Sequence, residues 1–236
     1  MALTDARIVS ADNTGGKIEQ LSERVARIVR EAIMMGEMSA PSYVRTEHLA
    51  AELGVSPTPV REALMILHAE GAVHWEPRKG YRVNPITSGD ISDLFDVQAY
   101  IAGELAARAA GVMDAEELAR IQGIQGELEA AAKGGEISRV DRLNHEIHRS
   151  INTASDSARM AAMLQQTVMY VPLGFFARIE GWAEASAHDH EPIFAALRSR
   201  DADAARSTMA EHIRHIGTLL VDHLNDHGAM QQRVAD

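Results

Sequence analysis

Histidine is the residue type whose placement in this sequence most clearly indicates chemistry. Eight of the eleven histidines follow residue 140, and neutral imidazole is a common ligand of divalent metal ions. They are His145, His148, His188, His190, His212, His215, His223 and His227. A single histidine on a helix is usually an ordinary core or surface residue, whereas several at ligand spacing indicate a metal site. The C-terminal part is therefore a candidate for metal binding.

Helical spacing favours some of these histidines over others. Asn144 and His148 are four residues apart, so they project from one face of a helix. Asp141 and His145 form a second pair with the same spacing, offset by about 60° around the axis. The apolar stripe of this helix consists of Leu143, Ile147 and Ile151. Asn144 and His148 lie beside that stripe, and His212 lies on the stripe of a later helix, so these positions are favoured.

A second group of residues, near the N-terminus, has the types that contact DNA. The candidates are Arg45, Thr46, Ser56, Thr58, Pro59, Arg61, Arg78, Lys79 and Gly80. Small residues at a helix N-terminus let backbone N–H groups approach phosphates, and Arg61 can hold a phosphate or a guanine edge. Arg78 and Lys79 flank a glycine at a predicted hairpin tip, which suits insertion along a minor groove. The alternative is a generic three-helix packing unit whose cations are merely solvated, and any one of these residues alone would favour that alternative.

The elements that must position these residues follow the order of a winged helix-turn-helix. Apolar residues at helical spacing predict a first helix over 17–35, with Arg30 on its polar face. Thr46 is predicted to cap a two-turn helix that Gly54 ends. A third helix begins at Pro57 and stops at Gly71, and alternation over 73–83 predicts a β-hairpin. The predicted buried stripe of the third helix is Val60, Ala63, Leu64 and Leu67.

The remainder of the chain has helical periodicity throughout, so the expected fold is mainly α. Helices are predicted near 88–111, 114–133, 136–155, 157–180, 186–199 and 201–227. Pro172 and Gly174 should kink or divide the fourth of these. The predicted organisation is a disordered tail (1–16), a winged helix-turn-helix (17–84), an all-helical bundle (85–228) and a second tail (229–236).

Composition and charge limit where the protein can reside and which partners it can bind. Residues 1–84 contain 10 Lys and Arg against 11 Asp and Glu, so most of the net charge of −11 belongs to the helical part. A nearly neutral head can still bind DNA if its cations share one face. The absence of cysteine excludes disulfides and thiolate zinc sites. No apolar run reaches the length of about 18 residues that spans a bilayer, and no secretion signal is evident, so we expect a cytoplasmic protein without a membrane partner.

Residues 44–83 resemble the DNA-binding head of the GntR superfamily. The elements Gly-Val-Ser, Thr-Pro-Val-Arg-Glu-Ala-Leu and Gly-Tyr-Arg-Val fall in register without a gap. The resemblance implies a homodimeric transcription regulator, in this family most often a repressor, that binds a double-stranded DNA operator. Pro57 stands where many relatives have arginine, so the operator sequence does not carry over from them.

Two later stretches, HRSINTASDSARM and HEPIFAALRSRDADAARSTMAEHI, resemble the signatures of the FCD domain, the ligand-binding domain of FadR-type members. The resemblance implies that Asn144, His148, His190 and His212 hold a divalent metal ion. Three imidazoles suit zinc or nickel, and open positions on the ion would accept a small carboxylate-bearing effector. Asn144 replaces the commoner aspartate, which removes one negative charge from the site.

The first helix of this domain also departs from the family pattern. Relatives often carry an arginine and a glutamate there, whereas this chain has Gln98 and Ala102. The candidate effector-binding residues are Gln98, Tyr100, Arg149 and Arg178. Two alternatives remain: a purely structural metal site, and a metal-dependent hydrolase with Glu146 as base. A catalytic domain has no need of a DNA-binding head, so we expect no enzymatic activity.

Overall fold

The computed structural model describes residues 20–171, 176, 179–228 and 230. Both predicted tails therefore lie outside the described residues, apart from residue 230, and so do Pro172, Gly174 and Arg178. The chain divides into two compact units: the residues up to Thr87 are grouped with those from Leu224 onward, and Ser88–His223 forms the second unit.

The first unit is a winged helix-turn-helix, as the sequence predicts. Its elements are α1 (Leu21–Met34), β1 (Tyr43–Val44), α2 (Thr46–Leu53), α3 (Pro57–Ala69), β2 (Val73–Glu76) and β3 (Gly80–Val83). The strands form an antiparallel sheet in the order β1-β3-β2, with Trp75 opposite Tyr81 in the hairpin. The sequence analysis missed β1, because two residues are too few for an alternation pattern.

The core of this unit lies between α1 and α3. All four residues of the predicted stripe on α3, Val60, Ala63, Leu64 and Leu67, are fully buried. Gly54 ends α2 in the left-handed conformation (φ 66°), and the Val55 amide donates to the Ala50 carbonyl oxygen. This tight turn is followed by Pro57 at the first position of α3, and the first two residues of α3 are exposed.

Two local predictions in this unit are wrong. Thr46 is the first residue of α2 and the cap position is Arg45, with no side-chain capping bond. Arg30 is not on a polar face but is buried, with 6% of its surface exposed. Its Nε and Nη2 donate to the two carboxylate oxygens of Glu70 at 3.0 and 2.7 Å. Burial of this arginine is possible because the paired carboxylate follows α3 directly.

The second unit is all-helical, which confirms the predicted fold class. Its helices are α4 (Ser88–Val112), α5 (Ala115–Lys133), α6 (Ile137–Ala154), α7 (Ala158–Val168), α8 (Trp182–His188), α9 (His190–Ser199) and α10 (Ala202–Asp226). Helix α5 packs against α6, and α4 packs against α6, α7 and α9. Asp114 caps α5 by accepting from the Glu117 amide at 2.8 Å.

Two helices differ from their predicted bounds. The predicted helix 157–180 ends at Val168, where the amides of Tyr170 and Val171 donate to carbonyls three residues earlier and tighten the chain into turns. The predicted helix 186–199 is interrupted at Asp189, giving α8 and α9. Pro192 explains this break, because it has no N–H to donate to the His188 carbonyl oxygen. Among the helices of the described residues, none is long and apolar enough to cross a membrane.

Candidate metal centre and DNA-contacting surface

Three histidines from different helices converge inside the second unit. His148 lies on α6, His190 begins α9 and His212 lies on α10. Their candidate ligand atoms all lie within 4.8 Å of one another. The ring centroids of His190 and His212 are 4.8 Å apart, and these two residues are 1% and 3% exposed. Three of the four predicted metal ligands thus lie close to one another in the structure.

The spacing of these rings suits a shared metal ion. The Nε2 atoms of His148 and His212 are 3.1 Å apart. Two imidazole nitrogens that bind one zinc ion at about 2.0–2.1 Å are separated by about 2.9 Å at a right angle and about 3.4 Å at the tetrahedral angle. The observed separation lies between these values. The donor set therefore fits a small divalent ion without a change in ring positions for this pair.

The protonation of the rings also fits metal binding. Burial lowers the pKa of His148 well below its usual range, and the charges of His212 and His145 lower it further. The pKa of His190 is lowered in the same way, first by burial and then by His212 and His148. At neutral pH both rings are thus uncharged, which is the form that offers a lone pair to a metal.

Asn144 is the fourth predicted ligand, and its environment supports a polar interaction. It lies one turn before His148 on α6. Its Oδ1 is buried and has no hydrogen-bond partner among the residues that the structure describes, and the same is true of Nε2 of His190. Buried polar atoms without a partner are rare, because each costs about 1–3 kcal/mol. These two atoms are therefore free to bind a cation.

Two further residues hold the rings from behind, and the sequence analysis missed both. Nδ1 of His190 donates to Oε1 of Gln125 on α5 at 2.8 Å. Nδ1 of His212 faces Oδ2 of Asp189 at 3.4 Å, and His215 contacts the same oxygen at 2.6 Å. Hydrogen bonds from His212 and then His215 outweigh burial and lower the pKa of Asp189 to about 2. Asp189 directly precedes His190, so its closeness to the site could be predicted from the sequence. Gln125 lies 65 residues from His190 and gives no such signal.

Unlike the three histidines, the described candidate effector-binding residues differ in their surroundings: one is buried and two are exposed. Gln98 is buried and donates from Nε2 to the Thr167 carbonyl oxygen at 3.0 Å, so it joins α4 to α7. Tyr100 is 68% exposed, and Arg149 is also exposed. Glu146, the base of the hydrolase alternative, is half exposed and lies 3.5 Å from Arg120 on α5.

The candidate DNA-contacting residues lie mostly at the surface of the first unit. Arg45, Ser56, Thr58, Arg61, Arg78 and Lys79 are exposed, and Thr46, Pro59 and Gly80 are partly exposed. Ser56 occupies the N-cap position of α3, but its side chain makes no capping hydrogen bond within the described residues. Because Pro57 and Pro59 lack N–H groups, the first turn of α3 offers fewer backbone donors to a phosphate than an ordinary helix. Arg61 is the exposed cationic side chain of this part of α3.

The wing, defined as residues 73–83, has an ordered base beneath its cationic tip. Tyr43 donates to Oε2 of Glu76 at 2.9 Å, and Nζ of Lys79 lies 3.2 Å from the same oxygen. The bond from Tyr43 is the main reason that the pKa of Glu76 falls to about 2, with Lys79 and His74 adding to the effect. Gly80 has φ +99°, and a Cβ there would lie 2.8 Å from the Val44 carbonyl oxygen, so only glycine fits.

Comparisons with known proteins agree with both units. The family model "Bacterial regulatory proteins, gntR family" matches residues 21–83, and the FCD domain model matches residues 93–215. The HTH-type transcriptional regulator YdhC of Bacillus subtilis is 23% identical over 193 residues, which is 79% of this chain and 85% of that protein. A probable D-xylose utilization operon transcriptional repressor of Paenarthrobacter nicotinovorans is 26% identical over 194 residues, 80% of this chain and 85% of that protein.

A solved structure gives the same fold. Escherichia coli McbR/YncC superposes with a TM-score of 0.64 at 21% identity, covering 88% of this chain and all of that one. The similar proteins bear the names of transcription regulators. Since the FCD model alone matches more than half of the sequence, the chain belongs to the GntR family of bacterial transcription regulators, with a GntR-type DNA-binding head followed by an FCD domain.

Proposed function

We propose that this regulator binds a palindromic operator as a homodimer and represses transcription until a small carboxylate metabolite binds at a metal centre. The observation that carries the proposal is the convergence of His148, His190 and His212 in the interior of the second unit. Buried polar groups of this kind are costly unless they bind something. A structural core would be more stable with apolar residues at these positions.

The proposed metal ligands are Asn144, His148, His190 and His212, and the proposed ion is zinc or nickel. All four ligands are uncharged, so a bound dication would keep most of its charge, offset mainly by Asp189 behind His212. When bound, the ion would supply an electrophilic centre that attracts an anion. This charge balance favours a carboxylate effector over a neutral or cationic one.

Recognition of the effector by other side chains is more limited. Gln98 is already engaged with the Thr167 carbonyl oxygen, and Tyr100 and Arg149 are exposed. To contact the effector, Gln98 must first release its hydrogen bond to the Thr167 carbonyl oxygen. The effector class is thus set mainly by the metal centre, and the expected response is a shift between head arrangements that fit the operator and those that do not.

The DNA-binding part of the proposal assigns Arg61 and the exposed residues near it to the major groove and Arg78 to the wing contact. Lys79 would act from a fixed position, because Tyr43 and Glu76 hold its ammonium group. Two heads related by two-fold symmetry would read the two halves of a palindrome.

A purely structural metal site is the second candidate, and the near-complete burial of His190 and His212 favours it. One experiment separates the two. The full chain, with and without a chelator, is screened against small carboxylates for thermal shift and for operator affinity. The sensing proposal predicts a carboxylate that changes operator affinity only in the metal-loaded protein. If chelation unfolds the second unit and no carboxylate alters operator affinity, the site is structural.

A further inference from the structure

Gln125 is a buried polar residue that belongs to no predicted site. It lies on α5, with 6% of its surface exposed. Its amide makes three contacts: with Nδ1 of His190 at 2.8 Å, with the Ala187 carbonyl oxygen at 2.7 Å and with Oε1 of Glu129 at 3.2 Å. Because this buried amide contacts a candidate metal ligand, its orientation bears on which nitrogen of that ligand carries a proton.

The contacts of Gln125 fix which way its amide points. A backbone carbonyl oxygen can only accept a hydrogen bond, and an ionised carboxylate also only accepts. The NH₂ group must therefore face Ala187 and Glu129, which leaves Oε1 facing His190. The opposite orientation would place two acceptors 2.7 Å apart in a buried position, with no proton between them.

The orientation of Gln125 in turn fixes the proton on His190. Oε1 of Gln125 is an acceptor, so Nδ1 of His190 must carry the hydrogen. An uncharged imidazole carries one proton only, and a second proton on the buried Nε2 would have no acceptor among the described residues. Nε2 is thus left with a bare lone pair. Within the described part of the chain this buried atom has no hydrogen-bond partner, and its ring lies beside those of His148 and His212.

We infer that Gln125 is a positioning residue, which holds His190 as the Nδ1–H tautomer and directs the Nε2 lone pair at the three-histidine centre. The inference rests on the proposed metal site and deepens it. Outer hydrogen bonds of this kind orient metal-binding histidines and raise their basicity. Asp189 stands in the same relation to His212, so two of the three rings are held from behind.

The test measures the tautomer of His190 in the metal-free full chain, by long-range nitrogen–proton correlation spectroscopy of the imidazole rings. We expect the Nδ1–H form in the wild type. In Gln125→Met, which has the same length but no donor and only a weakly accepting thioether sulfur, we expect His190 to shift towards the Nε2–H form. Zinc affinity, measured by chelator competition, should fall about 10–100-fold in the same variant.

Ser186→Ala is the matched control, because Ser186 is a buried residue of the neighbouring helix α8 whose hydroxyl has no partner among the described residues. It should change neither the tautomer nor the zinc affinity. The second variant, Gln125→Glu, keeps an acceptor for Nδ1 and should keep the wild-type tautomer if the chain folds. An Nε2–H proton in the wild type, or an unchanged Nδ1–H form in Gln125→Met, would overturn the inference. Failure of the wild type to bind zinc would instead refute the metal site, since the tautomer is read without metal.

Discussion

The Nε2 atoms of His148 and His212 face each other at 3.1 Å on rings that are only 14° from parallel. Two lone pairs repel at this distance, so either a proton lies between the nitrogens or a cation binds both. Asp189 faces Nδ1 of His212 and favours a proton on that atom, which leaves Nε2 of His212 as the acceptor. In the absence of metal, His148 would be the donor, and a metal ion would take the place of its proton.

Asn144→Asp tests the identity of the fourth ligand. If Asn144 binds the ion, a carboxylate at this position adds a negative charge next to a dication and should raise zinc affinity by about tenfold or more. Chelator competition measures the change. Asn152→Asp is the matched control, because it adds the same charge to the same helix, two turns further on. Equal affinities for the two variants would remove Asn144 from the ligand set.

Arg61→Ala tests the DNA-contacting surface. Arg61 is exposed near the start of α3, where Pro57 and Pro59 leave few backbone donors. Its loss should weaken binding to an operator, selected from random duplexes, by about 1–3 kcal/mol and relax specificity at one base pair. Fluorescence anisotropy at fixed salt measures the affinity, and circular dichroism checks the fold. Arg142→Ala removes one exposed arginine from the helical domain and should leave specific binding intact; equal losses would contradict the assignment.

Glu70→Gln tests the buried pair within the head. The carboxylate accepts two bonds from Arg30, whose side chain is only 7% exposed, while that of Glu70 is 20% exposed. Removal of the negative charge leaves the guanidinium uncompensated, so the free energy of unfolding should fall by roughly 2 kcal/mol, less than for a fully buried pair. Urea denaturation measures this. The exposed Glu62 on the same helix gives the control, and Glu62→Gln should stay within about 0.5 kcal/mol of wild type.

Glu76 gives the wing a defined acid response. Its pKa in the folded protein is about 2, against 4.5 for an ordinary glutamate, chiefly because Tyr43 donates to it. A lowered folded-state pKa stabilises the fold above the unfolded-state value, and that contribution is lost as pH falls from about 4.5 towards 2. Carboxyl carbon NMR should show Glu76 titrating near 2 and should show a higher pKa in Tyr43→Phe. A pKa near 4.5 in the wild type would contradict the described contacts.

The sequence predicted the order of elements in the head because local signals mark them. Gly54 must adopt a left-handed conformation, Pro57 suits a first helical turn, and the stripe on α3 has helical spacing. A pairing between residues far apart in the sequence gives no local signal of this kind. Arg30 has the spacing of a polar face, and its burial follows from Glu70, 40 residues later.

The candidate site divides in the same way. Asn144 and His148 could be paired from helical spacing alone. His212 was favoured by its place on an apolar stripe, but it and His190 were joined to that pair through the family resemblance. Gln125 carries no local signal, because its role depends on the fold of α8 and α9 around Pro192. Hydrogen-bond partners behind a ligand are a property of packing and became visible only in three dimensions.

Zinc and nickel stoichiometry of the purified full chain tests the central claim most directly, by elemental analysis of the wild type, His190→Ala and His188→Ala. His188 is two residues from His190, but its side chain is 91% exposed, so it serves as the matched control. The account predicts one zinc or nickel ion per chain in the wild type and in His188→Ala, and little or none in His190→Ala. Equal metal content in all three proteins, or neither metal in the wild type, would contradict it.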